Sequence, residues 1–141
     1  MAEIDLDFKP TVPVFDANVL LGRRHDRWPE PRRYMGLAQR YPNIKWVIAH
    51  GGNGPFGQED AVAAAQASRN IYLETSTSFG DGRTIGFLVE GAGEDRVLFG
   101  SDMPEQDVCY QLGRVVTADI TVQAKRKVLG LNAMSLLELG E

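Results

Sequence analysis

Arg96-Val97-Leu98-Phe99-Gly100-Ser101-Asp102-Met103-Pro104 is the stretch whose reading decides the fold. A charged residue leads into a short apolar run, which ends in Gly-Ser-Asp ahead of a proline able to open a helix. This pattern predicts a buried parallel strand carrying a carboxylate at its carboxyl end, where α/β proteins place their chemistry. A second segment repeats the design: Ile44 to Ala49 reads as a strand and delivers His50 ahead of Gly51-Gly52. An imidazole and a carboxylate, each at a strand tip, point to hydrolytic or metal-assisted chemistry.

The surrounding chain supplies matching elements. Val12 to Leu20 reads as a first strand, ending at Gly22, and a polar connection with Pro29 and Pro31 follows. Apolar residues at Tyr34-Met35, Leu37-Ala38 and Tyr41 have helical spacing, closed by Pro42. An alanine-rich helix is predicted over 58–68, a strand over 71–75, a turn over 76–82 and a helix over 83–90 stopped by Gly91 and Gly93. Helical segments are predicted over 105–117, 121–129 and 132–139, with Thr121 as a cap. Strands alternating with helices give parallel strands joined by right-handed crossovers. The expected class is α/β: a four-stranded parallel sheet with helices outside, in a single domain over 1–141.

Composition narrows the function. With 43% hydrophobic and 24% charged residues the chain is an ordinary globular sequence, and its net charge of −4 offers no footprint for nucleic acid or anionic lipid. The cluster Arg23, Arg24, Arg27, Arg32 and Arg33 reads as a solvated loop, with an anion or partner contact as the alternative. Met1 to Asp7 is acidic and is not expected to act as a secretory signal. No apolar run approaches the ~20 residues that span a bilayer. Cys109 is alone, so no disulfide forms within one chain; a cytoplasmic location and a buried, inert thiol are expected.

Together these segments resemble the amidohydrolase-related branch of the metal-dependent amidohydrolase superfamily, a (β/α)8-barrel family of decarboxylases and lactone or amide hydrolases. Phe15 to Leu20 resembles the first barrel strand, and Leu37 to Lys45 leading to Ala49-His50-Gly51-Gly52 resembles the sixth. Asn70 to Ser76 resembles the seventh, Arg96 to Pro104 the eighth and Lys127 to Ala133 the closing helix. Two departures stand out. The family's first strand ends in Asp-x-His-x-His, whose imidazoles bind metal, and Asn18 and Leu20 occupy those positions. A complete barrel needs about 250 residues, and here the first strand passes almost directly to the sixth. The resemblance therefore implies half a barrel, in the order 6-7-8-1. Unpaired edges and an apolar inner face would be covered if a homodimer closed two arcs, or if the arc flattened into an open sheet.

The resemblance assigns His50 to activating water or substrate and Asp102 to metal ligation and proton transfer. The plainer alternatives are a structural hydrogen bond for His50 and a helix cap ahead of Pro104 for Asp102. Asn18 is a weak candidate ligand beside Asp16, and His25 in the polar connection reads as solvated. Gly51, Gly52 and Glu74 are candidate substrate-binding residues, Glu74 reading equally as a cap or an ion-pair partner. The family implies a divalent metal, zinc or manganese. Two protein ligands rarely hold zinc, so the protein is expected to purify without it.

Two functions follow. One is metal-assisted hydrolysis or decarboxylation of a small carboxylated or cyclic substrate. The other is a non-catalytic, metal-free truncated or engineered half-barrel retained for fold and self-assembly. Either way the chain should self-associate: sedimentation at micromolar concentration should give a dimer, and a monomer would favour the flattened sheet.

Overall fold

The computed structural model describes residues 32–78 and 83–139. The predicted strand over 12–20, with Asp16 and Asn18, and the connection holding His25 lie outside the described residues.

Chain order is helix α1 (Arg32–Arg40), strand β1 (Trp46–Ile48), a tight turn over Ala49–Gly52, helix α2 (Pro55–Ala67) and strand β2 (Ile71–Glu74). Helix α3 (Arg83–Ala92), strand β3 (Val97–Leu98) and helices α4 (Val108–Thr117), α5 (Val122–Arg126) and α6 (Asn132–Leu136) follow. The described strands form one three-stranded sheet in the order β1-β2-β3, parallel throughout, with Trp46 opposite Ile71 and Leu73 opposite Val97. It is a small α/β fold. The fourth strand of the expected arc falls on residues outside the description.

Side chains alternate across the sheet. Ile71, Leu73, Val97 and Phe99 join Ala61, Ala64 and Ala65 of α2, Ile85 and Leu88 of α3 and Val115 of α4 in one buried cluster. Alanine suits α2 because a thin side chain lets the helix lie close to the strands. Closeness also fixes Gly91, where a Cβ would fall 2.5 Å from Val62 Cγ1. The opposite face carries Val47, Tyr72, Glu74 and Leu98, of which Val47 is exposed and Tyr72 half-buried.

Three side chains tie helix ends to the sheet by donating to backbone carbonyls. Asn70 Nδ2 reaches Ala38 O, Tyr41 O and Ile44 O (2.8 Å to the last). Arg96 binds Ala92 O through Nε at 2.9 Å and Ala65 O through Nη1, holding the ends of α3 and α2. Asn132 Nδ2 donates to Glu94 O at 2.7 Å and Val97 O at 2.8 Å. Leu98 O accepts from Thr75 N, so Val97 O and Phe99 N face away from β2. Phe99 N bonds Val128 O at 2.9 Å, and the C-terminal segment thereby occupies part of the far edge of β3.

Several boundaries differ from the sequence reading. Helix α2 opens at Pro55, not residue 58, because proline lacks only an N–H that is already orphaned at a first helical position. The segment after β3 turns helical at Val108, not residue 105, and its cap is Asp107, whose side chain accepts from Tyr110 N at 3.0 Å. Asp102 therefore does not cap that helix. Thr121 does cap α5, accepting from Ala124 N. The last two helices form one continuous path, since the π-turn over Lys127–Leu131 and its flanks keep right-handed helical geometry. Cys109 is exposed, not buried, because α4 turns Gln111, Arg114 and Val115 inward instead. No helix among the described residues is long and apolar enough to cross a membrane.

Gly100 lies where a Cβ would come within 2.0 Å of Glu74 Oε1, whereas a Cβ at Gly86 in α3 meets nothing within 4 Å. Gly100→Ala should lower stability by about 1–3 kcal/mol through overpacking. Gly86→Ala should raise it by roughly 0.5–1 kcal/mol by removing backbone freedom from the unfolded chain. Urea midpoints of the two variants check both signs.

Candidate functional site

The carboxyl ends of the three strands converge on a small polar cluster. β1 ends at Ile48, and the chain turns sharply with His50 at φ 58° and Gly51 at φ 52°. The loop after β3 places Asp102 at φ 57°. Left-handed geometry in a residue with a Cβ costs of order 1–3 kcal/mol and tends to cluster at functional sites. His, Asp and Asn tolerate it better than other residues. Here both candidate residues adopt it, on separate strand tips.

Glu74, the last residue of β2, organises the cluster. Its side chain has no solvent exposure. Oε2 accepts from His50 N at 3.0 Å and from Ser76 Oγ at 2.8 Å, and Oε1 accepts from Ser76 N. A buried carboxylate is tolerable only with such donors. The absent side chain of Gly100 leaves room for it.

This network bears on the tautomer of His50, which is 5% exposed. Its Nδ1 lies 3.2 Å from Ser76 O and 3.1 Å from Ser76 Oγ. The carbonyl can only accept, and the hydroxyl spends its proton on Glu74. Among the described partners this arrangement puts the hydrogen on Nδ1 and the lone pair on Nε2. Asp102, 6% exposed, places Oδ2 3.9 Å from Nδ1, too far for a direct hydrogen bond.

Behind this cluster, α4 supplies two buried polar side chains. Arg114 Nη1 donates to Thr75 O at 2.8 Å and to Gln111 Oε1 at 2.6 Å, while Gln111 Nε2 donates to Thr77 O at 3.2 Å. Arg114 Nε and Nη2 are buried with no hydrogen-bond partner. Burial pushes the Arg114 guanidinium below its ordinary value, opposed by the charges of Tyr110 and Glu74.

The structure thus brings His50, Asp102 and Glu74 to one end of the sheet. Gly51 packs against Leu88 and the Glu74 carbonyl, and Gly52 against the Gly57 backbone, so close contact accounts for both glycines. Ser76, Gln111 and Arg114 escaped the sequence reading. The contacts that place them span 26 to 39 residues, as in His50–Ser76 and Thr75–Arg114, and no local pattern signals such contacts. A cleft of about 400 Å³ lined by Lys45, Tyr72, Asp95 and Lys127 lies at the opposite, amino ends of the strands, remote from this chemistry.

The amidohydrolase family profile matches residues 25–139. The chain belongs to this family. No curated protein sequence matches it significantly. Among solved structures it is similar to 5-carboxyvanillate decarboxylase from Sphingomonas paucimobilis, at 22% identity and TM-score 0.59, covering 75% of this chain and 37% of that one. It is also similar to a dihydroxybenzoic acid decarboxylase from Polaromonas sp. JS666, solved with manganese and 2-nitroresorcinol, at 21% identity and TM-score 0.61 over 79% and 39% of the two chains. A third is amidohydrolase 2 from Bifidobacterium longum subsp. infantis, at 21% identity and TM-score 0.59 over 86% and 49%. At such identities the likeness concerns the fold. The chain spans less than half the length of each of these proteins.

The family's divalent metal does not fit the donors described. No group of three or more His, Cys, Asp or Glu side chains among the described residues converges as a metal site. Glu74 is committed to three protein donors and His50 Nδ1 to Ser76. Even open catalytic zinc sites use three protein ligands, so no chemical step is routed here through an ion.

Glu74→Gln should be costly despite its similar shape. Each of its oxygens faces an N–H donor, so an amide NH2 at either position opposes one. A loss of about 1–3 kcal/mol is expected for a buried mismatch, read from chemical denaturation. Wild-type stability in this variant would show that the carboxylate does not organise the strand tips.

Proposed function

We propose that the chain provides a hydrolytic or decarboxylating site for a small carboxylated or cyclic substrate, with His50 and Asp102 as its working pair. The observation that carries this reading is their meeting: two residues from different strand tips, both buried and both left-handed, lie 3.9 Å apart. In hydrolysis His50 Nε2 accepts a proton from the attacking water and returns it to the departing group; in decarboxylation it takes the acidic proton of the substrate and delivers it to the carbon from which carbon dioxide leaves. Its Nδ1–H stays on Ser76 O, and the Asp102 carboxylate lies beside the ring that takes up the proton. Glu74 acts as organiser of the two loops and not as a substrate contact. Gly51 and Gly52 shape the rim beside His50.

We infer further that a second copy encloses the site. The chain spans 37% and 39% of the two decarboxylases, and the support for a second copy is the open edges of the expected unit, a four-stranded arc including 12–20. Phe99 N is already bonded to Val128 O, so such an arc would pair with only part of β3. A reducing cytoplasm suits a chain with a single cysteine.

A second reading, a non-catalytic half-barrel, is favoured by the lack of a three-ligand metal group among the described residues and by Asn18 and Leu20 in the sequence. A panel of hydroxybenzoates and carboxylated phenols, with and without added manganese, separates the two. Turnover should fall by about 10²-fold or more in His50→Asn and in Asp102→Asn, as general acid–base groups predict. No turnover by the parent protein under either condition would favour the non-catalytic reading.

A further inference from the structure

The cluster at the strand tips depends on a segment with no regular structure of its own. Thr75, Ser76 and Thr77 follow β2 as an extended, buried connection. Ser76 is the residue that fixes the His50 proton, through its carbonyl and hydroxyl. A loop carbonyl holds an imidazole in one tautomer only if the loop itself is held. The residues on either side of Ser76 meet α4: Thr75 O accepts from Arg114 and Thr77 O accepts from Gln111. The two donors are joined to each other, since Arg114 Nη1 also donates to Gln111 Oε1 at 2.6 Å.

We propose that Gln111 and Arg114 form a latch that sets the tautomer of His50 by clamping the backbone on both sides of Ser76. They are positioning residues, acting through Ser76, and this rests on the reading of His50 as the residue that moves the proton. The energetics of Arg114 support the assignment. A guanidinium that is 4% exposed and leaves Nε and Nη2 without partners is a poor contributor to stability on its own account. Gln111, 1% exposed, uses its amide in both directions, accepting from Arg114 and donating to Thr77. An aliphatic side chain would fill the same space without orienting the loop.

Histidine nitrogen NMR reads the tautomer directly, and the chain has only two histidines, His25 and His50. A His25→Gln background leaves one signal set. In the parent, Nδ1–H should dominate. Gln111→Glu keeps the acceptor for Arg114 but removes the donor to Thr77 O. Gln111→Asn shortens the reach by one methylene with unchanged chemistry, and so tests the latch with less risk to folding. In each, the ratio of Nδ1–H to Nε2–H should fall by up to about tenfold, the equivalent of one hydrogen bond. Thr117→Ala, an exposed change on the same helix, should leave the ratio at its parent value. A folded Gln111→Glu or Gln111→Asn protein with the parent ratio overturns the latch while leaving the site reading intact. A parent protein with the proton on Nε2 overturns both.

Discussion

A carboxylate with no access to water lies at the tip of the central strand, and the geometry of the neighbouring strand tips follows from satisfying it. Glu74 needs donors, and the nearest are the backbone of the β1 turn and the backbone and hydroxyl of the β2 loop. Bringing His50 N to Oε2 requires the chain to leave β1 in a left-handed turn, which places the imidazole over Ser76. Making space for the carboxylate requires a residue without a side chain on β3, and Gly100 supplies it. One buried charge thus couples three loops that are far apart in sequence, because each stabilises the others only when all are in place.

Short strands explain why side chains carry so much of the rest. With two to four residues in each strand, the ladder offers few backbone hydrogen bonds. Asn70, Arg96 and Asn132 make up the difference by donating into helix ends and strand entrances, and Gln111 and Arg114 do the same for the β2 loop. Each of the five joins two segments distant in the chain. Side chains thereby tie both the amino and the carboxyl ends of the strands, although only the latter gather His50 and Asp102.

The elements read from sequence were those with local signals. Apolar runs marked β1 to β3, helical spacing marked α1, glycines marked the end of α3 although the helix runs through Gly91 to Ala92, and the hydroxyl of Thr121 marked a helix start. Pro104 misled because a proline that can open a helix does not have to, and Asp107 offered a better cap three residues on. Cys109 misled because one side of α4 is buried by polar groups, so hydrophobicity pointed to the wrong face. In the site, His50 and Asp102 were visible as polar residues ending apolar runs. Ser76 and the two α4 side chains were not, since their roles exist only once β2 and α4 are side by side.

The contact between β3 and the C-terminal segment bears on the order in which the molecule assembles. Val97 O and Phe99 N are satisfied by Asn132 and Val128, and Asn132 lies 35 residues beyond the strand it closes. A nascent chain therefore leaves Val97 O and Phe99 N without these partners throughout the synthesis of α4 and α5. A strand edge with such groups is sticky toward other strands, and long-range closure is slow compared with helix formation. The interval between making β3 and receiving Asn132 is the period in which this protein is most exposed to mispairing.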